Sequence, residues 1–153
     1  MGLIWAHLHM NKLKIEEYSE KIWQMHISVS AFYDGYAKSV GLTLAEFKVL
    51  AILHREVICT QKFITQLTFL PKQTVNAIIK GFSKRGFINE STEAASDKRN
   101  KNLSLSKEGK ILADKVVSKA KEVEYKALDS LGEDRRKVLL EAITIYTKNL
   151  KIK

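Results

Sequence analysis

The sequence predicts a mainly α fold carrying one small β-hairpin, and three observations predict it. One Pro and seven Gly in 153 residues leave room for long uninterrupted helices and too few turns for an all-β chain. Apolar residues recur at steps of three and four along most of the chain. The departure is a pair of short strand-like runs, Phe87–Ser91 and Lys101–Leu105, on either side of a polar stretch.

Taken in order, the first helix is read from Ile15, Tyr18, Ile22, Met25, Val29, Phe32 and Tyr36, a heptad-like stripe within an expected helical region of about residues 10–40. Such a stripe needs a partner face, from this chain or from a second copy. Gly41 ends it, and Thr43 with Glu46 three residues on forms a capping box for the next helix, roughly Leu44–Arg55. That helix is expected to bury Phe47, Leu50, Ala51 and His54. A short helix, Thr60–Leu67, leads through a tight connection to a further one, Pro71–Arg85. Pro71 suits the first helical position, where its φ is already set and its missing N–H is not needed. Val75, Ile78, Ile79 and Phe82 give this helix its apolar side, and Lys72, Gln73, Thr74, Asn76 and Lys80 are left for solvent or a ligand. Gly81 in its middle costs about 1 kcal/mol relative to Ala, which a close backbone contact would explain.

Gly86 stops that helix, and the two strand-like runs follow, joined by a polar tip at residues 95–101. Ser106 is the expected N-cap of a helix reaching about Leu131, with Leu112, Val116, Ala120, Val123, Ala127 and Leu131 on one face. Gly132 breaks it. Glu133 and Asp134 then open a last helix, where the dipole favours carboxylates, and it carries Leu139, Ile143, Tyr146 and Leu150. The first and last helices lack an obvious partner within so small a chain, and packing against their mates in a two-fold dimer is the economical answer.

Composition narrows the function. A content of 45% apolar and 28% charged residues is globular rather than disordered, and the length suits one domain spanning 1–153. No apolar run approaches ~20 residues, so no membrane span is expected. The start, residues 1–10, lacks a basic leader and a small-residue cleavage site, so no signal peptide is expected, and Met10 is an alternative start. A single Cys excludes an internal disulfide and fits a reducing, cytoplasmic setting. No nucleophile elbow, phosphate-binding glycine loop or paired catalytic carboxylates appear, so neither enzyme nor cofactor is expected. The four histidines show no ligand spacing for a metal.

Net charge is +9, and its distribution is uneven. Residues 1–59 balance at six basic against six acidic. Residues 60–110 hold ten against four, and residues 111–153 hold ten against seven. The excess lies where helix, turn, helix and basic hairpin follow one another, which is the layout of a winged helix-turn-helix and the footprint of a polyanion reader. In that layout the start of the second helix enters the major groove of DNA. Gln73 and Asn76 can contact adenine in bidentate fashion, while Lys72, Thr74 and Lys80 serve phosphates or base edges. The hairpin tip sets Lys98, Arg99 and Lys101 within four residues, a basic protrusion suited to the minor groove, and Asp97 is placed to orient a guanidinium. The same winged helix could instead serve as a protein-interaction module.

Thr60-Gln61-Lys62, Leu70-Pro71-Lys72-Gln73-Thr74-Val75 and Lys84-Arg85-Gly86-Phe87-Ile88 resemble the MarR (multiple antibiotic resistance regulator) family. So does Asp97-Lys98-Arg99 followed by Leu105-Ser106-Lys107-Glu108-Gly109, with Ser106 replacing the family's usual Thr. The likeness is close over residues 42–110 and extends to the flanking helices only in length and pattern. It implies a homodimeric winged helix-turn-helix regulator, usually a repressor, on a pseudo-palindromic operator. The helices at about 10–40 and 111–153 would form the dimerisation region, and residues 42–110 would bind DNA. Arg99 would be the minor-groove arginine with Asp97 as its partner. Many members also bind a small, often phenolic, effector. Trp23, Tyr33, Tyr36 and His54 are the candidate lining of such a pocket, and a dimer core explains the aromatic ones equally well. Cys59, just before the Thr60 helix, is a candidate redox thiol because a helix N-terminus can lower a thiol pKa.

Overall fold

A computed structural model describes residues 2–91 and 101–150, with side chains for residues 14–91 and 101–150. The elements run α1 (Gly2–Ser39), α2 (Leu44–Arg55), β1 (Cys59–Thr60), α3 (Gln61–Thr68), α4 (Lys72–Lys84), β2 (Ile88–Ser91), β3 (Asn102–Leu105), α5 (Lys107–Asp129) and α6 (Gly132–Asn149). The mainly α fold with a small hairpin is therefore what the chain adopts. Two differences from the sequence expectation stand out. Helix α1 starts at Gly2, far ahead of the apolar stripe, because no Pro or mid-helix breaker interrupts residues 3–14. The sheet has a third strand, β1, which at two residues is too short to show any alternation.

The chain divides into two compact units, Met1–Phe47 and Lys48–Lys153. In the first, α1 ends in a left-handed glycine: Gly41 has φ +75°, and Leu42 N–H donates back to the Ala37 carbonyl at 2.9 Å. Only a residue without Cβ takes that φ at no cost. The capping box forms as expected. Thr43 N–H donates to Glu46 Oε2 at 2.9 Å, and Glu46 N–H donates to Thr43 Oγ1 at 3.1 Å. Along α1 the apolar stripe faces solvent, with Ile15, Tyr18, Met25, Val29 and Phe32 all exposed.

In the second unit the core is built by Val49, Leu50, Ile64, Val75, Phe82 and Val117, each essentially without solvent contact. Phe47 and Leu50 of α2 are buried, whereas Ala51 and His54 are half-buried. His54 stays near the surface because its Nε2 reaches the exposed Asp114 of α5 at 2.9 Å. The strands order as β1-β3-β2, all antiparallel, with Cys59 and Glu90 both opposite Leu103.

The passage from hairpin to α5 is tight. Ser106 caps α5 by accepting from Gly109 N–H at 3.0 Å, while its own hydroxyl donates to the Gly86 carbonyl at 2.7 Å. Ser106 N–H donates to the Phe87 carbonyl at 3.0 Å. Gly109 lies so close to that same carbonyl that a Cβ there would sit 1.9 Å from Phe87 O. Gly81 is the opposite case. A Cβ at that position meets nothing within 4 Å, so no close backbone contact explains it. At the far end α6 buries none of its residues, and Val138, Leu140, Ile143, Ile145 and Tyr146 are exposed. Among the described residues no helix is long and apolar enough to cross a membrane.

Candidate nucleic-acid interface

Helix α3 starts at Thr60, whose hydroxyl accepts from Phe63 N–H at 3.2 Å. It ends in Phe69, a left-handed residue with φ +54° whose ring is 92% exposed. Thr68 ties the corner together, donating to the Ile64 carbonyl at 2.8 Å and accepting from Leu70 N–H at 3.3 Å. Pro71 is the N-cap of α4 rather than its first helical residue, one position earlier in the helix than the sequence suggested, because its ψ of 138° is extended. Its carbonyl takes the first helical bond, from Val75 N–H at 3.1 Å. The amides of Lys72, Gln73 and Thr74 therefore have no carbonyl within the helix, and the positive end of α4 favours an anion there. Gln61 links the two helices by donating from Nε2 to the Lys72 carbonyl at 3.4 Å.

Helices α3 and α4 and the hairpin enclose a groove of about 640 Å³. Gln61, Lys62, Thr65 and Gln66 line it from α3, Lys72, Asn76, Ile79 and Lys80 from α4, and Glu90, Lys101 and Leu103 from the strands. Four of the residues singled out from the sequence, Lys72, Asn76, Lys80 and Lys101, thus meet on one surface. Gln73 is exposed and Thr74 half-buried on the same first turns of α4. Asp97, Lys98 and Arg99 lie outside the described residues. From α3 the family-like motif covered Gln61 and Lys62 but not Thr65 and Gln66, although the signal for all four is present. Residues 61, 62, 65 and 66 are the polar face of a helix whose opposite side buries Ile64 and Thr68.

The groove carries four lysines against one carboxylate. Lys101 Nζ sits 2.7 Å from Glu90 Oε2. The hydrogen bond from Lys101, helped by its positive charge and by a lesser contribution from the Ser83 hydroxyl, outweighs the opposing effect of burial and holds the Glu90 carboxyl below its ordinary range. A pairing partner for Lys101 was invisible in the sequence because Glu90 is eleven residues away and on the facing strand.

The remaining candidates fall elsewhere. Cys59 belongs to β1, and Thr60 takes the cap of α3, so the thiol does not gain from the helix end as the sequence suggested. It is buried, and burial together with the Glu56 charge pushes the thiol up to about 11, the reverse of an activated cysteine. In the first unit Tyr33 and Tyr36 pack on Phe47, with ring centroids 5.7 and 5.9 Å apart, and Trp23 is exposed. In the second unit His54 lines a cleft with Ser118, Lys121, Tyr125 and Arg136. No cluster of three metal-binding side chains occurs among the described residues.

Residues 40–100 match the model of the MarR family. Among solved structures the chain is similar to a MarR family regulator from Neisseria meningitidis, at 27% identity and a TM-score of 0.70, covering 86% of this chain and 91% of that one. It is similar to Staphylococcus aureus MepR in its DNA complex, at 20% identity and a TM-score of 0.71, covering 88% and 98%. NadR in complex with 4-hydroxyphenylacetate matches at 14% identity and a TM-score of 0.69, covering 86% and 92%. No curated protein matches the chain.

Proposed function

We propose, from the premise that residues 40–100 belong to the MarR family, that this winged-helix protein is a sequence-specific regulator of transcription acting as a homodimer on a pseudo-palindromic operator. The observation that carries the reading is the groove in which Lys62, Lys72 and Lys80 surround Asn76, beside the unbonded amides at the start of α4. That helix start enters the major groove, with Gln73 and Asn76 reading base edges and Thr74 and the lysines meeting phosphates. Arg99, oriented by Asp97, is the minor-groove contact of the hairpin tip, with Lys98 beside it.

The dimer is supported by the exposed apolar faces of α1 and α6, which leave Met25, Val29, Phe32, Ile143 and Tyr146 in water in a single copy. Two copies related by a two-fold axis would cover them and repeat the reading head along the duplex. The protein acts as a repressor at the cytoplasmic nucleoid, released by a small phenolic effector; the 4-hydroxyphenylacetate bound by NadR supports that class. Tyr33 and Tyr36, which pack on Phe47 in the first unit, are its proposed contacts. A thiol-based mechanism through Cys59 is disfavoured by the raised pKa.

Genomic footprinting followed by titration on the recovered site tests this reading. Arg99→Ala is expected to weaken operator binding at least tenfold, and Gln73→Ala to relax base preference by about 1–3 kcal/mol. Sedimentation should give a dimer. A monomer indifferent to duplex DNA at low salt refutes the proposal, and full DNA affinity in Arg99→Ala would favour a protein-docking role for the hairpin.

A further inference from the structure

We infer that Glu90 cancels the charge of Lys101 within the groove, so that Lys62, Lys72 and Lys80 carry its phosphate contacts while Lys101 braces the hairpin. This inference rests on the DNA-reading role proposed above and divides the labour among its cations.

The geometry distinguishes the four lysines. Lys101 Nζ, just ahead of β3, is 2.7 Å from the Glu90 carboxylate of β2. Among the described residues no ion pair or hydrogen bond holds the side-chain ammonium of Lys62, Lys72 or Lys80. An exposed ion pair is weak, and a phosphate could compete for the Lys101 ammonium. The carboxylate itself is harder to move. Its side chain is 26% exposed against 59% for Lys101. Whether or not Lys101 swings out, a negative charge remains fixed in that corner. A phosphate approaching there meets a cation and an anion less than 3 Å apart, which is a dipole rather than a unit of positive charge. Counterion release follows the net charge brought to the duplex, so this pair contributes close to nothing to the salt dependence of binding.

Salt titration of duplex binding tests the division. Each phosphate contact neutralised contributes about −0.9 to the slope of log affinity against log salt. Lys62→Ala, Lys72→Ala and Lys80→Ala should each make the slope shallower by about that amount. Glu90→Gln keeps the shape of the side chain and frees one cation, so it should steepen the slope by about 0.9 and tighten binding at low salt, on non-specific duplex as well. The double variant Glu90→Gln/Lys101→Gln removes both charges and should reproduce the wild-type slope. Thermal unfolding of each variant verifies that it is folded. An unchanged slope in Glu90→Gln would overturn the inference, and a slope shallower by about 0.9 in the double variant would overturn it by making Lys101 a phosphate contact; either leaves the DNA-reading role intact. A flat salt response in the wild-type protein would remove both.

Discussion

Replacing Gly109 by Ala adds a single methyl group where the structure has least room for one. Its Cβ would lie 1.9 Å from the Phe87 carbonyl oxygen and 2.8 Å from the carbonyl carbon, both backbone atoms that cannot rotate away. Ordinary contact begins near 3.4 Å, so the first turn of α5 must retreat from the strand by roughly 1–1.5 Å. Three hydrogen bonds hold this turn in place: Ser106 N–H to Phe87 O and Ser106 Oγ to Gly86 O cross the junction, and Gly109 N–H to Ser106 Oγ caps the helix beside it. At about 1 kcal/mol net for each, their loss costs about 3 kcal/mol. For a chain of this length that lowers Tm by roughly 6–12 °C. The same substitution at Gly81 should have the opposite sign. Nothing lies within 4 Å of its Cβ position and its φ is not left-handed, so Gly81→Ala should stabilise by about 0.5–1 kcal/mol through helix propensity alone. Urea denaturation followed by circular dichroism measures both. A Gly109→Ala midpoint at or above that of the wild type would refute the claimed contact between α5 and the strand.

Phe69 invites a gain in stability. A non-glycine residue in the left-handed region costs about 1–2 kcal/mol, and this ring is 92% exposed, so little packing offsets it. After the greater unfolded-state freedom of glycine is subtracted, Phe69→Gly should stabilise by about 0.5–1 kcal/mol in the same urea assay; a clear loss would mean that the ring is packed. For Cys59, a thiol at about 11 leaves roughly one molecule in ten thousand as thiolate at neutral pH. Iodoacetamide should label it far more slowly in the folded protein than in urea, and equal rates would show an accessible thiol. A thiol raised on folding stabilises the protein below the ordinary thiol range and stops doing so as pH climbs towards 11. The loss of stability above about pH 9 should therefore be smaller in Cys59→Ala, as read by alkaline unfolding curves.

Much of this architecture was legible because its signals are local. The capping box at Thr43 and Glu46, the Ser106 cap and the period of α4 each involve residues within a few positions of one another, where sequence and geometry are nearly the same thing. What was not legible depends on residues distant in sequence. The β1 strand exists only because Leu103 lies opposite Cys59, and the Glu90–Lys101 pair only because β2 and β3 are in register. The raised thiol of Cys59 was hidden for the same reason: its neighbours along the chain place it beside a helix start, and its neighbours in space bury it. Gly109 could be noted from the sequence as part of a motif, but the carbonyl that forbids a side chain there belongs to Phe87, on the other arm of the hairpin.

The middle strand of the sheet has a mechanical consequence. Asn102 and Leu103 pair with Thr60 and Cys59 on one edge and with Ser91 and Glu90 on the other. The segment between Thr60 and Glu90, which contains α3 and α4, is thus pinned at its two ends by the same pair of residues, like a strap buckled under one pin. Neither helix can change its distance from the hairpin without unzipping one of those edges. On the dimeric reading proposed above, adjustment to operators of different half-site spacing falls to the way two copies are joined, while α3 and α4 keep their place against the strands.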